Sequence, residues 1–172
     1  MPFVHVCPLS QVSRTVNVAA ASHLISLIND DTPVERPDSI SAENHLFLGV
    51  NDITEPMDGM ILPDEVHVRE LIEFVRTWDA TRPMVVHCYA GISRSTAAAF
   101  IALCVARPNR DEREIAAALR RAASFATPNA RLVALADDIL QRDGRMIAAI
   151  REIGRGELAF EGEPFALAIE EI

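Results

Sequence analysis

No stretch of this sequence is both long and apolar enough to span a bilayer. The longest uninterrupted apolar run, residues 97–106, is about half of what a span needs and suits a buried core helix. The opening MPFVHVCPLS has neither a basic n-region nor an apolar h-region, so secretory export is not expected and a cytoplasmic setting is. Cysteine is scarce as well. Three of them leave an odd thiol over, which fits free thiols in a reducing compartment and not a disulfide framework. Basic excess is missing: the formal charge of −9 argues against nucleic acid or an anionic membrane surface as partner, while leaving room for one small electropositive pocket. There is no internal repeat, no low-complexity segment and no shift in composition that marks a linker. A single domain over residues 1–172 is therefore expected, with a core at about 20–145 and a helical, acidic C-terminal tail at about 146–172.

What is present is a chain that is 49% hydrophobic, with two kinds of periodicity. Residues 3–7, 22–28, 45–50 and 84–87 are short apolar runs bounded by Pro, Asn or Asp and read as strands. Val68, Leu71, Ile72, Val75 and Trp78 recur at helical spacing behind Pro63, Asp64 and Glu65, residues suited to a first turn. After residue 88 the pattern is helical throughout. Residues 95–107 are Ala-rich and stopped by Pro108, and Asp111 with Glu114 forms a capping-box pattern. Thr127 and Pro128 suit the start of a helix ending near Gly144, and residues 146–153 form a last helical piece. Strands alternating with helices, then helices alone, predict an α/β fold: a small, mostly parallel central sheet with helices on both faces. Met84, Val85 and Val86 lack polar alternation, as a central parallel strand does, which places Cys88 at its carboxyl end, where open α/β sheets bind ligands.

The chemistry concentrates in His87-Cys88-Tyr89-Ala90-Gly91-Ile92-Ser93-Arg94-Ser95, between that strand and the next helix. A thiol over a helix N-terminus meets unsatisfied N–H groups that favour an anion. The five residues between Cys88 and Arg94, with Gly91 among them, can curl so that their amides point inward as an anion nest. Arg94 adds a permanently charged fork able to hold two phosphate oxygens. Cys7 and Cys104 read as small buried hydrophobes. His5 and Cys7 alternate on a strand without further ligands, so no metal is expected.

HCYAGISRS matches the H-C-x5-R-[ST] signature and so resembles the cysteine-based protein tyrosine phosphatases, in size and order the compact dual-specificity-like or a bacterial branch. The likeness extends over roughly residues 20–145. It implies a phosphatase-like fold with the nucleophile loop between a central strand and a helix. It also implies hydrolysis of phosphotyrosine monoesters, with phosphoserine and phosphothreonine as further candidates, through a phosphocysteine and without cofactor. Under the resemblance Cys88 is the nucleophile and Arg94 the phosphate clamp. The amides of Tyr89, Ala90, Gly91, Ile92, Ser93 and Arg94 cradle the phosphoryl oxygens. Ser95 donates its hydroxyl to the thiolate, and His87 orders the loop and favours the thiolate. The partner implied is a phosphorylated protein or a small phosphate ester.

The family also takes a leaving-group proton from an upstream Asp, and VNDITEPMDG offers Asp52, Glu55 and Asp58. Asp52 is preferred because it follows a strand directly and precedes Pro56 in an acid-then-proline loop; Asp58, beside Gly59, suits a turn. Asn129 falls in a Thr-Pro-Asn segment that the resemblance associates with the surroundings of the active site, though helix initiation explains it equally well. Glu112 with Arg113 reads as a solvated helix face. Lipid phosphatases with lysines in the loop, rhodanese-like sulfurtransferases and phosphate-binding pseudoenzymes are the competing classes. The uncharged x5 residues, the Arg-Ser ending, and the presence of both Cys88 and Arg94 respectively count against them.

Overall fold

The computed structural model describes residues 3–169. The first two residues of the opening segment, and Glu170 and Glu171 of the acidic tail, lie outside the described residues. Five strands, β1 (Phe3–Pro8), β2 (His23–Ile28), β3 (His45–Gly49), β4 (Met84–Cys88) and β5 (Phe165–Ala168), form one sheet in the order β3-β2-β4-β1-β5. β4 is central, parallel to β2 on one side and to β1 on the other; β3 is parallel to β2, and β5 runs antiparallel to β1. Six helices complete the fold: α1 (Val12–Ala19), α2 (Glu65–Thr77), α3 (Arg94–Ala106), α4 (Glu112–Ala122), α5 (Ala130–Ile139) and α6 (Arg145–Ile153).

Strand alternation sorts the core into two layers. Val4, Val6, Ile25, Leu27, Met84 and Val86 meet the helices α2 to α6 on one face. Cys7, Leu24 and Val85 meet Val12 and Val16 of α1 on the other. The predicted α/β architecture, a mostly parallel sheet covered on both faces, is the one observed. α3 is buried almost all round, which its run of Ala97, Ala98 and Ala99 permits by letting neighbours approach closely. No helix among the described residues is long and apolar enough to cross a membrane.

The local signals held with four corrections. α2 starts where Asp64 caps it, with reciprocal bonds between Asp64 and His67. Asp111 caps α4 through the Arg113 amide, but Glu114 turns to Arg110 at 3.4 Å instead of closing a box. α5 begins at Ala130, with Asn129 and not Thr127 as N-cap, and it ends at Ile139, five residues before Gly144. Glu112 is not on a solvated face: it is buried against Arg142, Nη1 to Oε1 3.0 Å, with Arg145 at 3.7 Å. The C-terminal tail is not helical to its end. After α6 it runs extended and re-enters the sheet as β5, because Phe165 and Leu167 can bury against β1 and the helical layer.

Candidate active site

Three parallel strands deliver side chains to one edge of the sheet. Asn29 follows β2, Val50 to Asp52 follow β3, and Cys88 ends β4. The chain from Cys88 to Arg94 then folds under α3. Gly91 is obligatory here twice over. Its φ is +71°, and a Cβ would lie 2.8 Å from Pro8 N and 2.9 Å from the Cys7 carbonyl carbon. The turn brings the Gly91 amide back to donate to Cys88 Sγ at 3.2 Å, and Ser95 Oγ lies 3.1 Å from the same sulfur. Sγ thus has the Gly91 amide as donor and the Ser95 hydroxyl within hydrogen-bond distance, at the N-terminus of a 13-residue helix. Cys88 is 3% exposed.

Arg94 is 6% exposed, and Nη1 donates to Asn29 Oδ1 (2.9 Å) and to the Val50 carbonyl (2.8 Å). Its Nε is buried and has no partner among the described residues. A guanidinium with a buried N–H unused and no carboxylate bonded to it is costly unless something anionic occupies the open positions. Arg94 lines a cleft of about 420 Å³ together with Asn29, Asn51, Asp52, Ile53, Met57, Met60 and Tyr89.

Asp52 stands on that cleft and is tied to the loop. Its Oδ1 accepts from Ser93 Oγ (2.7 Å) and from Asn129 Nδ2 (2.9 Å), leaving Oδ2 without a protein partner among the described residues. Asn129 meanwhile accepts from the Arg131 and Leu132 amides through Oδ1, so one side chain caps α5 and fixes Asp52. Asp58 is exposed and outside the cleft lining, as is Glu55.

Behind the loop, on the α1 face, His87 is fully buried. Burial lowers its pKa to about 4, with His45 and Arg94 adding to the effect and the bond to the Cys88 backbone opposing it. Burial thus favours the neutral ring, which meets the Cys88 backbone through a hydrogen bond. The Cys88 carbonyl can only accept, so His87 Nδ1 carries the proton and donates to it at 3.3 Å. His87 Nε2 then accepts from Ser26 Oγ at 2.6 Å, and Ser26 accepts from His45 Nε2 at 2.9 Å. Sequence reasoning did not find Ser26, His45 or Asn29. The signal available was their position on or just after parallel strands whose carboxyl ends form the site.

The other thiols lie in different surroundings. Burial pushes the Cys7 thiol up to about 12, the Thr15 hydrogen bond opposing and Cys88 reinforcing it. Cys104 is also raised, by burial first and by Glu112 next.

Residues 56–124 match the protein-tyrosine phosphatase family model; the segment includes the whole 87–95 loop but neither Asp52 nor Asn129. No curated protein sequence matches the chain. Among solved structures, that of DUSP15 has a TM-score of 0.64 at 19% identity, over 87% of this chain and 89% of that one. The Cydia pomonella PTP-2 phosphatase gives 0.60 at 19% identity over 78% and 84%. PTPMT1 in complex with PI(5)P gives 0.59 at 16% over 81% and 90%. At these identities the likeness is one of fold. The shared fold and the matched segment make the chain similar to the cysteine-based, protein-tyrosine-phosphatase-like proteins.

Proposed function

We propose that the chain is a single-domain, cytoplasmic phosphatase that hydrolyses phosphotyrosine monoesters, with phosphoserine and phosphothreonine as lesser substrates, through a phosphocysteine on Cys88. The observation that carries this is the buried, unpartnered Nε of Arg94 on a cleft, in one loop with a sulfur that accepts from the Gly91 amide and has the Ser95 hydroxyl at 3.1 Å. A phosphoryl group accepting from Arg94 and from the amides of residues 89–94 supplies the missing partner. Free cysteines accord with a reducing compartment.

The Cys88 thiolate attacks phosphorus, forming the P–S bond as the P–O bond to the leaving group breaks. Asp52, carrying a proton on Oδ2, gives it to the departing oxygen. Water then attacks phosphorus, Asp52 takes its proton, the P–S bond breaks, and the sulfur leaves as a thiolate that accepts from Ser95. His87 holds the Cys88 carbonyl and takes no substrate proton.

One phosphate fits the charge. All sixteen basic residues of the sequence are arginines, and Arg94 is the one cation on the cleft lining among the described residues. Tyr89, Ile53, Met57 and Met60 offer an apolar wall to an aryl ring, which favours phosphotyrosine over an inositol ring with several phosphates. PTPMT1, solved with PI(5)P, makes a phosphoinositide the substrate to test against.

Turnover of phosphotyrosine, phosphothreonine and phosphoinositide by one preparation tests the substrate. Cys88→Ser should abolish it all; activity within tenfold of wild type sinks the covalent route. Asp52→Asn should lower kcat by about 10²–10⁴ on phenyl phosphate and by less on para-nitrophenyl phosphate, whose leaving group needs less protonation. Asp58→Asn should do little, and a large leaving-group-dependent loss there would reverse the two roles.

A further inference from the structure

The tail between α6 and β5, residues 154–164, is anchored along the flank of the Cys88 loop. The Gly156 amide donates to Thr127 Oγ1 and the Glu157 amide to the Ser124 carbonyl; at the other end the Gly162 amide donates to the Ala90 carbonyl at 2.8 Å, and Ser10 bonds Glu161. Gly162 allows this approach, since a Cβ there would lie 2.5 Å from Phe125 Cε2 and 3.0 Å from the Gly91 carbonyl oxygen. Between the anchors Leu158 is 88% exposed and Phe160 fully so. On the opposite flank Met57 and Met60 are exposed, and Tyr89 stands exposed in the loop itself. Of the eight large apolar side chains exposed among the described residues, Tyr89 lies in the loop, Met57 and Met60 line its cleft, and Leu158 and Phe160 sit on the tail segment bonded to it. Scattered exposed apolar residues need no explanation, but five shared between one loop, its cleft and the segment bonded to it mark a contact surface.

Exposed carboxylates accompany these side chains: Glu55 and Asp58 flank Met57, and Glu157 and Glu161 flank Leu158 and Phe160; the exposed cations nearby are Arg155 in the tail and Arg151, which lines a cleft with Glu55. Arg131 near the first loop is turned to the Pro63 carbonyl.

Resting on the phosphatase reading, we infer that this apolar, acidic rim docks a phosphotyrosyl peptide segment of a protein substrate whose flanking residues are bulky apolar and basic. The phosphate enters at Arg94, apolar flanks lie on Met57 and Met60 at one side and on Leu158 and Phe160 at the other, and arginine or lysine answers the carboxylates. Acidic flanks are repelled. The tail, which the sequence presents as an appendage, thus belongs to substrate selection.

The test uses full-length Cys88→Ser protein and fluorescent phosphotyrosyl peptides flanked by Leu and Arg, or by Glu, with an unphosphorylated Leu/Arg control, read by anisotropy. The Leu/Arg phosphopeptide should bind about tenfold or more tightly than the Glu peptide, and the gap should narrow as salt rises. Leu158→Ala with Phe160→Ala removes only exposed side chains. In otherwise wild-type protein the pair should lower kcat/KM on the Leu/Arg peptide about tenfold relative to its effect on para-nitrophenyl phosphate. Equal binding of both phosphopeptides, an equal effect on both substrates, or tighter binding to vesicles containing phosphatidylinositol 5-phosphate than to any peptide overturns the inference. If wild-type protein fails to hydrolyse para-nitrophenyl phosphate, the phosphatase reading falls, and the peptide binding order still decides the docking surface.

Discussion

The two ends of α3 carry the same ingredients, a cysteine and a buried arginine, and use them in opposite ways. At the C-terminal end Arg142, 9% exposed, donates to Glu112, to the Pro108 carbonyl and to the Cys104 carbonyl. Its charge is neutralised and its geometry fixed by three acceptors within residues 104–112. At the N-terminal end Arg94 is as buried, yet its partners are an amide oxygen and one carbonyl, and Nε has none. Burial alone therefore does not set the two arginines apart. What differs is that Arg142 is paired with a carboxylate, whereas a buried N–H of Arg94 has no partner among the described residues.

The sharpest way to break that comparison is to remove each arginine. Arg94→Ala should abolish turnover while changing unfolding stability by about 1 kcal/mol at most, in either direction, because it removes a charge the protein leaves incompletely paired. Arg142→Ala should cost about 3–5 kcal/mol by leaving buried Glu112 with only Arg145 at 3.7 Å, with turnover per folded molecule kept. Urea unfolding and aryl phosphate hydrolysis on both variants decide it. If Arg94→Ala destabilises as much as Arg142→Ala, Arg94 is a structural arginine too.

The contrast was half legible in the sequence. The placing of the Cys88 loop between a strand and a helix could be read because its residues are contiguous, and strand β4 and helix α3 followed from an apolar run and an alanine run. Glu112 was misread because its neighbours Arg113 and Glu114 are solvated and its partner Arg142 lies 30 residues away. Asp52, Ser93 and Asn129 could each be singled out or passed over, but their meeting spans 41 and 77 residues and exists only once β3, α3 and α5 are packed. β5 is four residues long behind Gly, Glu and Pro, too short for a periodicity to show, and its strand character comes from pairing with β1.

A third buried polar group extends the comparison to a neutral case. His87 is lowered from 6.5 to about 4 by burial. The unfolded chain takes up this proton near pH 6.5 and the folded chain only near 4, so across that window the unfolded state binds more protons. Stability then falls as pH falls. At 1.36 kcal/mol per unit the loss reaches about 3 kcal/mol below pH 4. Unfolding free energies measured between pH 7.5 and 4 should show this slope, reduced in His87→Gln. An NMR titration that places the His87 ring above pH 6 would remove the basis for it.

The smallest expected effect tests the direction of the hydrogen bonds from His45 through Ser26 to His87. Because the Cys88 carbonyl cannot donate, the chain of donors runs one way, and Ser26 is the donor on which His87 Nε2 depends. Ser26→Ala leaves that nitrogen buried without a partner, at a cost of about 1–3 kcal/mol, and frees the imidazole to turn from the carbonyl. His45→Phe removes only the group that donates to Ser26 and leaves the Ser26 to His87 bond intact, so its cost should be the lesser. Stability alone does not separate a positioning role from a packing one, and alkylation of Cys88 by iodoacetamide does. Its rate and pH profile should shift in Ser26→Ala and stay near wild type in His45→Phe. Nitrogen NMR should find His87 protonated on Nδ1 and bare on Nε2. The opposite tautomer, or equal alkylation profiles in both variants, would show that the ladder supports the sheet and not the Cys88 loop.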